Sequence, residues 1–135
     1  MLEKFTKVAS IPHHDLLMTD SPDILVLVPE AGFKDTVDLS HLTIAALREY
    51  VAKQGHKCGL IILVDNLAAQ DPESRRVYAE GATPDLFFGV TIVVNNPLAR
   101  IIGNLIMRLK SFQVPLILVD SVEDGIAWLK LRRGT

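Results

Sequence analysis

Four short apolar runs set the terms for this chain: Ile24–Val28, Leu60–Val64, Val90–Val94 and Leu116–Val119. Each is rich in β-branched residues, and none alternates apolar with polar. A strand reads this way when both of its faces are covered, as in a parallel sheet carrying helices. Three of the runs end in a polar residue, Asp65, Asn95 or Asp120, and the first ends at the turn signal Pro29-Glu30-Ala31-Gly32.

The segments between the runs carry helical patterns. Thr43 is placed to cap a helix over Ile44–Gln54, with Leu42 and Leu47 spaced as a hydrophobic staple and Gly55 as the stop. Asp71 and Pro72 suit the first positions of a second helix reaching Tyr78. A third is expected over Pro97–Lys110, with Leu98, Ile101, Ile102, Leu105, Ile106 and Leu109 as its core stripe. Arg100, Asn104 and Arg108 then line the opposite side, where Met107 also falls. A fourth helix starts at Ser121, with Asp124 three residues on and Val122, Ile126 and Leu129 facing inward. Alternating strands and helices imply a largely parallel sheet with right-handed crossovers. Residues 1–22 form an N-terminal arm or extra strands: Phe5–Ile11 as an edge strand, His14–Met18 as another, and Ser21-Pro22-Asp23 as a tight turn.

The 135 residues fit one domain, 1–135, and 49% apolar content suffices for a core without disulfides or metal. A net charge of −2 gives no basic face for nucleic acid. Cys58 is the single cysteine, which suits a reducing compartment. Met1–Ser10 mixes Glu3, Lys4 and Lys7 with apolar residues, so no secretory signal is expected. The apolar runs fall far short of the ~20 residues of a membrane span. Together these features lead us to expect a cytoplasmic protein.

The order of elements, the closing Ser-Val-Glu-Asp-Gly-Ile-Ala-Trp-Leu of residues 121–129 and the stretch Pro97–Asn104 resemble the SpoIIAA-like group of STAS domains. The resemblance covers about Asp23 to Lys130 and implies an α/β fold: a mostly parallel sheet of four to five strands, with helices packed mainly on one face. Classical members of that group are anti-sigma-factor antagonists with a phosphorylatable serine just after the strand matching Leu60–Val64. This chain reads Val64-Asp65-Asn66-Leu67-Ala68-Ala69 there, with neither serine nor glycine, so the phospho-switch does not carry over. Ser74 lies further on, within the next helix. The resemblance also implies small or lipid-like ligands for some members.

Several residue groups could carry chemistry. His13-His14-Asp15 offers metal-ligand types, but adjacent strand residues face opposite ways. Cys58 lies two residues from His56, a base type that a nucleophilic thiol needs. Glu30, Asp35 and Asp38 form a loose acidic group, read as a solvated turn and helix start. The carboxyl ends of parallel strands, where α/β folds bind ligands, supply Asp65, Asn66, Asn95, Asn96 and Asp120. Asn96-Pro97 leads into a helix N-terminus that can hold an anion. Phosphate-loop, dinucleotide and nucleophile-elbow motifs do not occur, and no cofactor is expected. Arg100, Asn104, Met107 and Arg108 are the expected interaction surface. The leading expectation is a regulatory or protein-interaction module without catalysis, with a protein partner or as a homodimer. The alternatives are a binding protein for an apolar or lipid-like small molecule, and an enzyme using Cys58 or the His13–Asp15 cluster.

Overall fold

A computed structural model describes residues 2–133. All four apolar runs are strands: β3 (Ile24–Pro29), β5 (Cys58–Leu63), β7 (Phe87–Val93) and β8 (Leu116–Val119), each parallel to its neighbour. The N-terminal segment adds β1 (Thr6–Ile11) and β2 (His14–Met18), both antiparallel, giving the order β1-β2-β3-β5-β7-β8. The sheet is therefore mixed and six-stranded, which corrects the expected mostly parallel sheet of four to five strands. The added hairpin closes over Pro12 and His13. Proline presets its own φ, and His13 takes the left-handed conformation, φ 66°.

Two further strands make a separate parallel pair: β4 (Phe33–Asp35) and β6 (Leu67–Gln70). β4 leaves the turn in which Gly32, φ 76°, donates its amide to Asn66 O. Each of the two is too short to show a period.

The helices are α1 (Val37–Gln54), α2 (Pro72–Gly81), α3 (Pro97–Met107) and α4 (Val122–Arg132). α1, α2 and α3 pack with Leu25, Leu27, Leu60, Val90 and Ile92 on one face of the sheet. α4 covers the other face, against Ile24, Val26, Ile61 and Val93. It lies close because Gly59 and Gly89 beneath it have no side chain. A Cβ on either would stand 3.0 Å from the Leu129 methyl.

Two helices differ from the sequence expectation for identifiable reasons. α1 begins two turns early, capped by Thr36, whose Oγ1 accepts from Leu39 N, rather than by Thr43. Ser40 and Thr43 lie on its buried face and donate their hydroxyls back to Val37 O and Leu39 O, so polar residues pass where apolar ones were expected. α3 stops at Met107 rather than Lys110, and its buried side is Ala99, Ile102, Gly103 and Ile106. Two small residues bring that side onto the sheet and turn Leu98 (41% exposed) and Ile101 (59%) to solvent. The Gly55 stop, the Ser121 cap and the Ser21–Ile24 turn are as expected.

Candidate functional site

At the carboxyl end of β3, β5 and β7, the main sheet, the small β4–β6 sheet and α2 enclose a partly open cavity of about 30 Å³. Its wall is mostly apolar, from Leu27, Ile62, Val64, Ile92, Ile106 and Phe112. Five polar side chains also reach it: His14, Asp35, Gln70, Arg75 and Tyr78. A volume of this order exceeds what a single water needs, about 10–15 Å³.

Asp35 is the centre of the polar group and is only 3% exposed. It ends β4 directly opposite Gln70, the last residue of β6, and Gln70 Nε2 donates to Asp35 Oδ2 at 2.9 Å. Tyr78 Oη donates to Asp35 Oδ1 at 3.3 Å. The backbone carbonyl of Asp35 is held by Ser74 Oγ at 3.0 Å and by Asp71 N at 3.0 Å, which docks the start of α2 on the end of β4. Asp71 stands at the N-cap position of α2, but its carboxylate accepts from Val37 N, across in α1. Arg75 and Tyr78 are three residues apart on α2 and so share a face. Burial pushes the Asp35 carboxyl above its ordinary range, and the nearby Asp71 pushes it the same way. Burial likewise pushes the Tyr78 phenol up.

Two polar atoms of this group are buried without a partner: Gln70 Oε1 and Arg75 Nε. Among the described residues no carboxylate forms an ion pair with Arg75. Burial pulls its guanidinium pKa down. His14 closes the cavity from the β2 side. Its Nδ1 donates to Pro12 O at 2.9 Å, which leaves Nε2 as the acceptor, and burial lowers its pKa. His14 also borders an open groove of about 430 Å³ along Ser10, Ile11, Val28 and Glu30.

The groups singled out in the sequence are distributed differently. The acidic trio separates. Asp35 is buried in the cavity rather than solvated, Glu30 pairs with His13 Nδ1 at 2.6 Å, and Asp38 is exposed in the first turn of α1. His13 stacks on Phe33 at 5.3 Å while His14 meets the same ring edge-on at 4.8 Å, so the two imidazoles flank one phenyl group. Among the described residues no three metal-ligating side chains converge. Cys58 is fully buried, with Sγ 3.9 Å from His56 Nδ1, and burial pushes its thiol up to about 11.

Asp65, Asn66, Asn95, Asn96 and Asp120 are brought to one end of the sheet, but their hydrogen bonds run within the chain. Asp65 Oδ1 accepts from Asn95 N, and Asn96 Nδ2 donates to Asp65 O. Asn96 Oδ1 caps α3 at Ala99 N, Asn66 Nδ2 donates to Pro29 O, and Asp120 pairs with Arg100 at 3.3 Å. Arg100, Asn104 and Met107 are exposed on α3, and Arg108 is exposed at its C-cap. Of the cavity's polar groups only Asp35 and His14 were singled out in the sequence. The usable signal for the others was the three-residue spacing of Arg75 and Tyr78 beside Asp71-Pro72.

The comparisons agree with this architecture. The model of a family described as a domain of unknown function (DUF7793) matches residues 23–132, and the chain belongs to that family. No curated protein matches it. Among solved structures it is similar to an uncharacterised protein of the DUF3478 family with a SpoIIAA-like fold from Shewanella loihica PV-4. The TM-score is 0.60 at 13% identity, covering 86% of this chain and 91% of that one. The fold is SpoIIAA-like, as the sequence resemblance implied. No helix among the described residues is long and apolar enough to cross a membrane.

Proposed function

We propose that this member of the family is a binding module for a small, largely apolar molecule that enters the cavity between the sheet and α2. One observation carries the reading. The cavity is walled by apolar side chains at the ends of three core strands, and the polar side chains of His14, Asp35, Gln70, Arg75 and Tyr78 converge on the same small space. A ligand with an apolar body and a polar group would bury its surface against that wall and meet one of these polar side chains. The position at the carboxyl end of the parallel strands is also where α/β folds take ligands. The test is native mass spectrometry of the protein purified from its own cells, followed by gentle denaturation. A released small molecule supports the reading, and a bare protein that also shows no amide shifts at the cavity in a fragment screen by NMR overturns it.

A second reading, a protein-interaction module, draws on α3. Leu98 and Ile101 are exposed one turn apart, beside Arg100, Asn104 and Arg108, with Met107 (44% exposed) on the other flank. It predicts self-association or partner capture that Ile101→Ser removes, read by sedimentation equilibrium.

A further inference from the structure

We propose that the chain forms a two-fold dimer in which β8 pairs antiparallel with β8 of a second copy, joining two six-stranded sheets into one; the cavity takes no part. The two edges of the sheet are built differently. β1, at one edge, carries the exposed Thr6, Lys7 and Ser10 and breaks register between Lys7 and Ala9. A lysine and a bulge are devices by which an edge refuses a further strand. β8, at the other edge, is Leu116-Ile117-Leu118-Val119, with no charge, no proline and no register break within it. Pro115 O and Val119 O accept from Val90 N and Val94 N of β7. Carbonyls alternate in direction along a strand, so the N–H and C=O of Leu116 and Leu118 point away from β7, where no strand lies among the described residues. Three of the four side chains, Leu116, Ile117 and Leu118, are left partly exposed.

Charge selects the occupant and its direction. The segment that leads into β8 and the last turn of α4 are basic, with Arg108, Lys110 and Lys130. The residue after β8 and the first turn of α4 are acidic, with Asp120, Glu123 and Asp124. Among the described residues Lys110, Lys130, Glu123 and Asp124 form no ion pair within the chain. The β8 edge is therefore basic at one end and acidic at the other. A second copy laid antiparallel along it sets each basic end beside an acidic one, whereas a parallel copy sets like ends together. Such a pairing closes at two copies, because it uses the same edge of both. The flanking helices add apolar surface on each side of the joined strands. Gly103 seats α3 on Leu118, and Met107, one turn on along the same flank, is 44% exposed. On the other face Trp128 of α4 and the exposed Pro115 both border Gly89, and Trp128 too is partly exposed.

Sedimentation equilibrium of the full chain reads the association, and the parent is expected to reach a dimer and nothing larger. Leu116→Pro removes an N–H that β7 does not use, so the sheet within each copy is kept while the edge is blocked. Two hydrogen bonds are lost per dimer, and the variant is expected to raise Kd at least about tenfold. Lys110→Glu is expected to weaken the dimer, and Glu123→Lys added to it in the same chain to restore it. Amide hydrogen exchange on the parent tests the same edge without any substitution. Leu116 and Leu118 are expected to exchange fast in dilute solution and to become protected as concentration rises, while Ile117, which faces β7, stays protected throughout. A parent that remains monomeric, or that grows beyond a dimer, overturns the proposal. So does a dimer that survives in a folded Leu116→Pro variant, or exchange at Leu116 and Leu118 that ignores concentration; should Leu116→Pro not fold, the exchange result decides. A dimer lost in Ile101→Ser but kept in Leu116→Pro moves the interface to the exposed side of α3 and overturns the β8 pairing. A Lys110→Glu variant that dimerises as well as the parent overturns the orientation set by charge.

Discussion

Gln70 and Asp35 face each other as the last pair of a two-stranded ladder, 35 residues apart in sequence, and the 2.9 Å hydrogen bond between them is made inside the protein. The pair joins a strand that precedes α1 to one that precedes α2. The ionisation of one carboxyl group therefore bears on how α2 seats on the sheet.

That arrangement sets a pH dependence. The Asp35 carboxyl titrates above its ordinary 3.8 in the folded protein, mainly because burial opposes its charge. Its contribution to stability is complete below the unfolded pKa and is lost as pH rises through the folded one. Asp35→Asn keeps the shape, accepts from Gln70 through its oxygen and donates to Tyr78 Oη through its nitrogen. The variant is expected to be more stable than the parent at pH 8, with the advantage shrinking toward pH 4. Urea midpoints at pH 4, 6 and 8 check this, and parallel curves for the two proteins would falsify it.

His14 works with the opposite sign. Burial lowers its pKa from 6.5, so its contribution is complete above 6.5 and is lost as pH falls through the folded value. His14→Asn retains a side-chain N–H for Pro12 O and removes the titration. Relative to the parent, the variant is expected to gain stability as the solution is acidified below pH 6.5. Thermal melts at pH 7.5 and 5 decide it: an unchanged difference between the proteins at the two pH values means that His14 is not the group.

Cys58 is the clearest case in which position decides chemistry. Its thiol is fully buried and titrates near 11, so the thiolate that attacks an electrophile is scarce at pH 7.5. Iodoacetamide is expected to label the native protein orders of magnitude more slowly than the urea-unfolded chain. Comparable rates, measured by intact mass, would return the nucleophile to consideration.

The main-sheet strands and the caps at Gly55, Asn96 and Ser121 were legible because each depends on a short local pattern. The small sheet was not. Phe33-Lys34-Asp35 and Leu67–Gln70 are too short for periodicity, and Ala68, Ala69 and Gln70 have no strand preference of their own. They pair only because Gly32 and Asn66 bring the two segments together. The site depends on that pairing, since Asp35 beside Thr36 reads locally as a solvated helix start and becomes buried only when β6 and α2 cover it. In the same way only Ile102 and Ile106 of the expected α3 stripe are buried, because Ala99 and Gly103 bury their side of the helix through close approach rather than through size.

Thr91 carries a removable defect. It lies in the middle of β7 at 0% exposure, and its hydroxyl has no hydrogen-bond partner. A Cβ added at Gly125 of α4 would come within 2.8 Å of that oxygen. Valine has nearly the same shape without the polar atom. Thr91→Val is expected to stabilise the fold by about 1 kcal/mol, the low end of the cost of a buried unsatisfied group. A lower melting temperature for the variant would show that the hydroxyl has a partner, such as a bound water.

Gly81 fixes how closely α1 and α2 approach, and through α2 the placement of Arg75 and Tyr78. A Cβ there would sit 2.2 Å from Ile44 Cγ1 and 3.0 Å from its Cδ1, and both helices are pinned at that point. Arg48 of α1 donates from Nη1 to Gly81 O at 2.7 Å and to Thr83 Oγ1 at 2.7 Å, so α2 cannot slide outward without breaking those bonds. Alanine normally gains on glycine within a helix, by about 1 kcal/mol. Here the overlap outweighs that gain, because inserting a methyl into a packed contact costs about 1–3 kcal/mol. Gly81→Ala is therefore expected to be destabilised, whereas Gly81→Ala with Ile44→Ala is expected to recover the overlap while losing the Ile44 contacts. A double-mutant cycle by urea unfolding reads the coupling directly: a favourable interaction energy between the two substitutions places the strain at this contact, and strict additivity removes it.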